Sequence, residues 1–162
     1  MGGAIALEFA ALHPHAIAGV IASSPLIEAG PLAELNFFEK MALRVVPKLL
    51  PTFALPKLID GVHLSRDPEV AIDYAADPLI HGYASMLTAS EMVQRGDDLL
   101  NRIGAKFTLP LLIVHGSEGL HSITQDLLTS VAGSKTFFER AISTDKVYKL
   151  FEGSRHERIY LL

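Results

Sequence analysis

Two acidic side chains and one histidine stand just past the carboxyl ends of apolar runs, which is where an open α/β sheet places its ligands. Glu118 and Asp126 follow Leu109-Pro110-Leu111-Leu112-Ile113-Val114-His115-Gly116, and His156 follows Lys146-Val147-Tyr148-Lys149-Leu150-Phe151 and a Glu152-Gly153 turn. An acid after one strand and a histidine after the next is the chain order in which a carboxylate orients an imidazole acting as general base. The start of the chain is a third position of interest. Met1-Gly2-Gly3 enters a helix whose first N–H groups and positive dipole end suit a developing anion. Taken singly, Asp126 also reads as a turn residue, and His115, before a glycine at a strand end, reads as structural. Ser23 and Ser24 lack the flanking glycines of a strained nucleophile turn. His13, His15, His63, His81 and His121 show no ligand spacing such as His-Glu-x-x-His, so no metal is expected.

The elements that must position these residues follow from hydrophobic period and punctuation. Ile5, Phe9 and Leu12 form a helical stripe, and His13-Pro14 ends that helix. The continuous run Ala16 to Ala22, closed by Ser23-Ser24-Pro25, predicts a strand buried on both faces. From Leu26 to about Thr108 the texture is helical and punctuated by prolines, with no strand pattern. Leu35, Phe38, Met41, Ala42 and Val45 repeat at three and four, Asp67-Pro68-Glu69 reads as an N-cap with proline at the first helical position, and Met86 to Leu100 is amphipathic. A second strand over 110–115, a helix over Val131–Ala141 with Phe137 and Phe138 on its apolar face, and a third strand over 146–151 make a βαβ unit. The expected fold is α/β: three parallel strands near 17–22, 110–115 and 146–151, helices on both faces, and a helical insertion between the first two.

Composition narrows the function. The 162 residues are 49% hydrophobic and 20% charged, enough apolar material for one buried core. A net charge of −4 without a basic block argues against a nucleic-acid partner. The lack of cysteine excludes disulfides and thiolate metal sites and favours the cytoplasm. Apolar runs stop well short of the ~20 residues of a membrane span, no basic region announces a signal peptide, and Gly2-Gly3 lacks the lysine and spacing of a nucleotide loop.

Longer motifs carry a resemblance. Met1-Gly2-Gly3-Ala4-Ile5-Ala6, the strand ending Ser23-Ser24-Pro25, Leu64-Ser65-Arg66-Asp67-Pro68, Asp77-Pro78-Leu79-Ile80-His81-Gly82, Leu109 to Ser117, Gly133 to Ala141, Ser143-Thr144-Asp145-Lys146 and Leu150 to Glu157 are similar to the monoacylglycerol lipases and lysophospholipases, grouped with the serine aminopeptidases. The resemblance implies a partial α/β-hydrolase fold. Residues 1–25 and 109–162 would belong to its core and residues 26–108 to a helical cap. The family's nucleophile elbow, Gly-His-Ser-Met-Gly-Gly, would put the serine immediately before Met1, so the chain as written is expected to be inactive.

What else the resemblance implies concerns roles. His156 would be the general base, Asp126 the acid that orients it, and the Met1 backbone N–H an oxyanion donor. The family's acid usually sits about two residues after His-Gly-Ser, where this chain has Glu118 and Gly119. Aligning backwards from Gly133-Ser134-Lys135 instead puts Asp126-Leu127-Leu128-Thr129-Ser130 on the acid motif, with an insertion of about seven residues over Gly119–Gln125. Asp126 is preferred and Glu118 is the alternative. The implied function is ester hydrolysis of an acylglycerol, lysophospholipid or simple ester, without a cofactor, with the cap touching a membrane peripherally. The competing reading is a catalytically dead remnant that acts as a binding module.

Overall fold

The computed structural model describes residues 1–30, 36–56, 60–65, 67–117, 126, 128–152 and 156. Helix α1 (Gly2–Leu12) leads to strand β1 (Val20–Ser23), and β4 (Leu111–Ser117), α5 (Val131–Arg140) and β5 (Lys146–Glu152) close the sequence of elements. Between them lie α2 (Phe37–Leu49), β2 (Ala54–Pro56), α3 (Pro68–Ala76), β3 (Tyr83–Ser85) and α4 (Met86–Asp98), the last running into a π-helical turn at Leu99–Ile103. The main sheet has the order β1-β4-β5 and is parallel throughout. Register pairs Val20 with Leu111, and Leu111 with Lys146. The three expected parallel strands are therefore present, and β1 is at an edge.

Local chemistry sets the helix starts. Asn36 and Glu39 form a reciprocal capping box at α2, Asp67 accepts from the Glu69 amide ahead of Pro68 at α3, and Ser85 and Ser130 cap α4 and α5. One apolar cluster joins Leu7 and Ala10 of α1, Val20 and Ala22 of β1, Leu111 and Ile113 of β4 and Phe137 of α5. Leu99 and Phe107, which follow α4, complete it.

The structure corrects four expectations. β1 begins at Val20 and alternates between buried and exposed, with Ile21 75% exposed, so it is covered on one face only. Register puts Val147 beside Ile21 on the same open face, two strands away. On α1 the buried residues are Ala4, Leu7 and Ala10, while Ile5, Phe9 and Leu12 face out. The helix lies close on its neighbours through small residues: a Cβ on Gly3 would stand 3.0 Å from Pro25 Cβ. On α2, Phe38, Met41 and Val45 are exposed too, and the helix continues through Pro47 to Leu49. Finally, the region taken as strand-free holds β2 and β3, which pair antiparallel with Leu55 opposite Ala84. Three-residue strands are too short to leave a period-two signature.

The segment between β1 and β4 is tied to the rest at α4. Arg95 donates to Glu8 of α1 at 3.1 Å, and Gly96 packs directly on the backbone carbonyl of Ile27. A Cβ at position 96 would overlap that oxygen and approach the Ile27 carbonyl carbon to 3.1 Å. Gly96→Ala, which gains about 1 kcal/mol of helix propensity when nothing opposes it, is therefore expected to destabilise by about 1–3 kcal/mol. Thermal melting should show a fall of roughly 2–4 °C per kcal/mol for a chain of this size. An unchanged or higher Tm would show that the contact tolerates a side chain.

Candidate active site

The site is built where β4 and β5 end side by side. His115 pairs in register with Leu150, and Ser117 with Glu152. Asp126 reaches the same edge on a turn that is fixed from two sides. Its Oδ1 accepts the backbone amides of Leu128 at 3.0 Å and Thr129 at 3.1 Å, and Ser130 then caps α5. The turn is also stitched to the chain after β1. Gly30 N–H donates to Leu128 O at 3.1 Å, Ser130 N–H to Glu28 O at 3.0 Å, and Ala29 bridges Thr129. Asp126 is thus held by residues 28–30 and by the start of α5.

His156, four residues past the end of β5, brings its Nδ1 to 2.8 Å from Asp126 Oδ2. The carboxylate is fully buried and the imidazole side chain is 21% exposed. Burial pushes the Asp126 carboxyl up, but the hydrogen bond and charge of His156 and the bonds from Thr129 outweigh it and hold the pKa at about 2. An ionised carboxylate on Nδ1 makes that nitrogen the donor, so the neutral ring has its Nε2 lone pair available as a base. Ser24 anchors the histidine's backbone, its Oγ donating to His156 O at 3.2 Å. Ser24 is itself buried, with φ at +41°, a conformation that a residue other than glycine adopts only where its surroundings hold it.

The first helix meets this corner from below. Gly3 packs on Pro25 and the Ser23 carbonyl, next to Ser24, and Met1 caps α1 with its carbonyl accepting from the Ala4 amide at 3.0 Å. Burial lowers the pKa of the Met1 amino group. Asp126 and His156, paired in the sequence by resemblance, are in direct contact, and Glu118 lies outside the described residues. Three further polar groups join the site: Thr129, unassigned in the sequence, whose Oγ1 donates to Asp126 Oδ2 at 2.7 Å; His115, read there as structural, fully buried with Nδ1 3.9 Å from that same oxygen; and Ser24, weighed there only as a nucleophile. The Asp-x-x-Thr spacing was a signal for the first, and His115's parity with core-facing Leu111 and Ile113 a signal for the second. Among the described residues, no cluster of three or more His, Asp or Glu is arranged to hold a metal ion.

The depressed pKa of Asp126 fixes a sign. A carboxyl that titrates at 3.8 when unfolded and at about 2 when folded stabilises the native state above pH ~4, and that stabilisation disappears as pH falls through about 2. Asp126 should contribute about 2 kcal/mol at neutral pH. Urea unfolding of the parent and Asp126→Asn across that range checks this, because the acid-dependent part of the difference between them should vanish near pH 2.

Comparison with known proteins places the fold. A family model described as serine aminopeptidase, S33, matches residues 1–160. Human monoglyceride lipase is 35% identical over 162 residues, covering 96% of this chain and 48% of that protein. The monoacylglycerol lipase of Mycolicibacterium smegmatis is 32% identical over 158 residues, covering 97% and 52%. The crystal structure of a soluble variant of Saccharomyces cerevisiae monoglyceride lipase, in complex with a substrate analogue, superposes with a TM-score of 0.79 at 26% identity, over 96% of this chain and 54% of that one. The Paleococcus ferrophilus monoacylglycerol lipase superposes at 0.77 and 28% identity, over 96% and 56%. The chain spans about half the length of the curated relatives it matches. With a match over nearly its whole length and a parallel β1-β4-β5 sheet to go with it, the chain belongs to the serine aminopeptidase S33 family of α/β-hydrolases.

Proposed function

We propose that this chain carries the acid and base of a carboxylic-ester hydrolase of the monoacylglycerol lipase and lysophospholipase type. The observation that supports the reading best is the 2.8 Å contact between His156 Nδ1 and a buried, ionised Asp126. In this reading a serine placed directly ahead of Met1 gives its proton to His156 Nε2 as its oxygen attacks the ester carbonyl. Asp126 fixes the imidazole tautomer and stabilises the imidazolium. The Met1 nitrogen, an amide N–H once a residue precedes it, donates to the tetrahedral oxyanion, a role whose loss typically costs about 10²–10³ in rate. His156 then protonates the leaving alcohol, and water repeats the sequence on the acyl-enzyme.

Residues 1–25 and 109–162 act as the catalytic core and residues 26–108 as its cap. The substrate is a small acyl ester or lipid. The cap also suits a lipid surface. Phe37, Phe38, Met41, Val45 and Leu49 of α2 are exposed together, with Lys40, Arg44 and Lys48 spaced four apart along the same helix. The protein would thus work from the cytoplasmic side and touch membrane peripherally; among the described residues no helix is long and apolar enough to cross one.

Two experiments test this. On this reading, in which the nucleophile precedes Met1, the chain alone should neither hydrolyse a p-nitrophenyl ester above background nor label with a fluorophosphonate; labelling of any serine here would relocate that residue. In a chimaera that places a relative's N-terminal portion, through its serine, ahead of Met1, ester turnover should appear. Asp126→Asn should lower it by about 10⁴, as loss of the orienting acid does in serine hydrolases generally, and Glu118→Gln should leave it nearly unchanged. A chimaera that folds and labels nothing would favour the binding-module reading.

A further inference from the structure

The structure assigns His115 and Thr129 a joint role as positioning residues for Asp126, forming a buried hydrogen-bonded backing from His115 through the Thr129 hydroxyl to the carboxylate oxygen that holds His156. The assignment rests on the reading of Asp126 and His156 as acid and base.

Asp126 Oδ2 is shared: it accepts from Thr129 Oγ1 at 2.7 Å and from His156 Nδ1 at 2.8 Å. The other oxygen is occupied by the amides of Leu128 and Thr129. Thr129 has a single hydroxyl hydrogen and gives it to the carboxylate, so its oxygen has only acceptor capacity left. That capacity faces His115 Nε2 at 3.4 Å, and a proton on Nε2 completes the line, while the other ring nitrogen, Nδ1, lies 3.5 Å from Gly116 O. His115 is wholly buried at the end of β4, so its ring cannot turn to solvent instead. A line of donors that all point the same way polarises each member, and low dielectric strengthens the last bond in the line. The Thr129 oxygen also lies 3.5 Å from His156 Nδ1, so it faces the same ring nitrogen that the carboxylate holds.

A bland role for Thr129 is to close the turn, and its backbone amide does that without the hydroxyl. The two roles separate when the hydroxyl is removed and the amide kept. The titratable groups facing Asp126 among the described residues are His156, from the loop after β5, and His115, from β4. Neither carboxylates nor lysines from the packed elements intrude on this pair among the described contacts.

The test is carried out by NMR on the chain as it stands, following the Asp126 carboxyl carbon through acid titration and the His156 Nδ1–H proton. Thr129→Val should raise the Asp126 midpoint from about 2 by about one unit, as loss of a hydrogen bond to a charged group implies, and should broaden the His156 proton away. Thr129→Ser should restore both. His115→Gln, which keeps an N–H donor, should behave as the parent, and His115→Phe should shift the Asp126 midpoint in the same direction as Thr129→Val. Well-dispersed amide spectra identify folded variants, and if Thr129→Val fails to fold the His115 pair decides alone. A folded Thr129→Val with the parent's titration, Thr129→Ser indistinguishable from valine, or equal titrations for the two His115 variants would overturn the assignment. These readouts need no ester turnover. A chimaera without activity but with the expected shifts overturns the hydrolase reading and supports the positioning network; an active one with flat titrations does the reverse. In an active chimaera Thr129→Val should lower kcat about tenfold with little change in KM.

Discussion

Parallel pairing of β4 with both of its neighbours is the constraint on which everything else in this chain depends. Parallel strands bring their carboxyl ends to one edge, and the loops that leave them emerge together. A one-residue slip between β4 and β5 would turn every side chain to the other face. It would remove Ile113 from the cluster with Leu7 and Phe137 and swing His115 out of the interior. The apolar core therefore sets the position of the polar groups at the edge. Val20, Ala22, Leu111 and Ile113 fix the register, and the register delivers Asp126 and His156 to the same corner.

The corner itself is a dense polar arrangement beside an apolar core, and such arrangements are stable only when nearly every donor finds an acceptor. Here the carboxylate takes two backbone amides on one oxygen, a hydroxyl and an imidazole on the other. Ser24, in an unfavourable backbone conformation, spends its hydroxyl on the His156 carbonyl. The local strain is thus offset by a bond that fixes the backbone of the residue most exposed to solvent.

Much of this was legible in the sequence, for physical reasons that differ by element. β4 and the helix Val131–Arg140 announce themselves through uninterrupted β-branched and leucine content and through the Ser130 cap. The pairing of Asp126 with His156 was legible only by motif, because its ring-to-carboxylate contact joins residues 30 positions apart in the sequence. Faces were the least legible property. Ile5, Phe9 and Leu12 make a good stripe, yet α1 buries Ala4, Leu7 and Ala10 on another face, the one that packs on β1. Phe38, Met41 and Val45 mislead in the same way. Periodicity reports that a helix has an apolar side, and what that side rests on is decided by partners a pattern does not contain.

The backbone bonds between residues 28–30 and the Asp126 turn have a positional consequence. Because Asp126 is moored to the chain that follows β1 and to the cap of α5, these bonds, rather than the connection from β4, set its place. A longer or shorter connection would leave those bonds, made by residues 28–30, 128 and 130, in place. In a chain tied this way, the carboxylate is found by counting back from α5 sooner than by counting forward from His115-Gly116-Ser117.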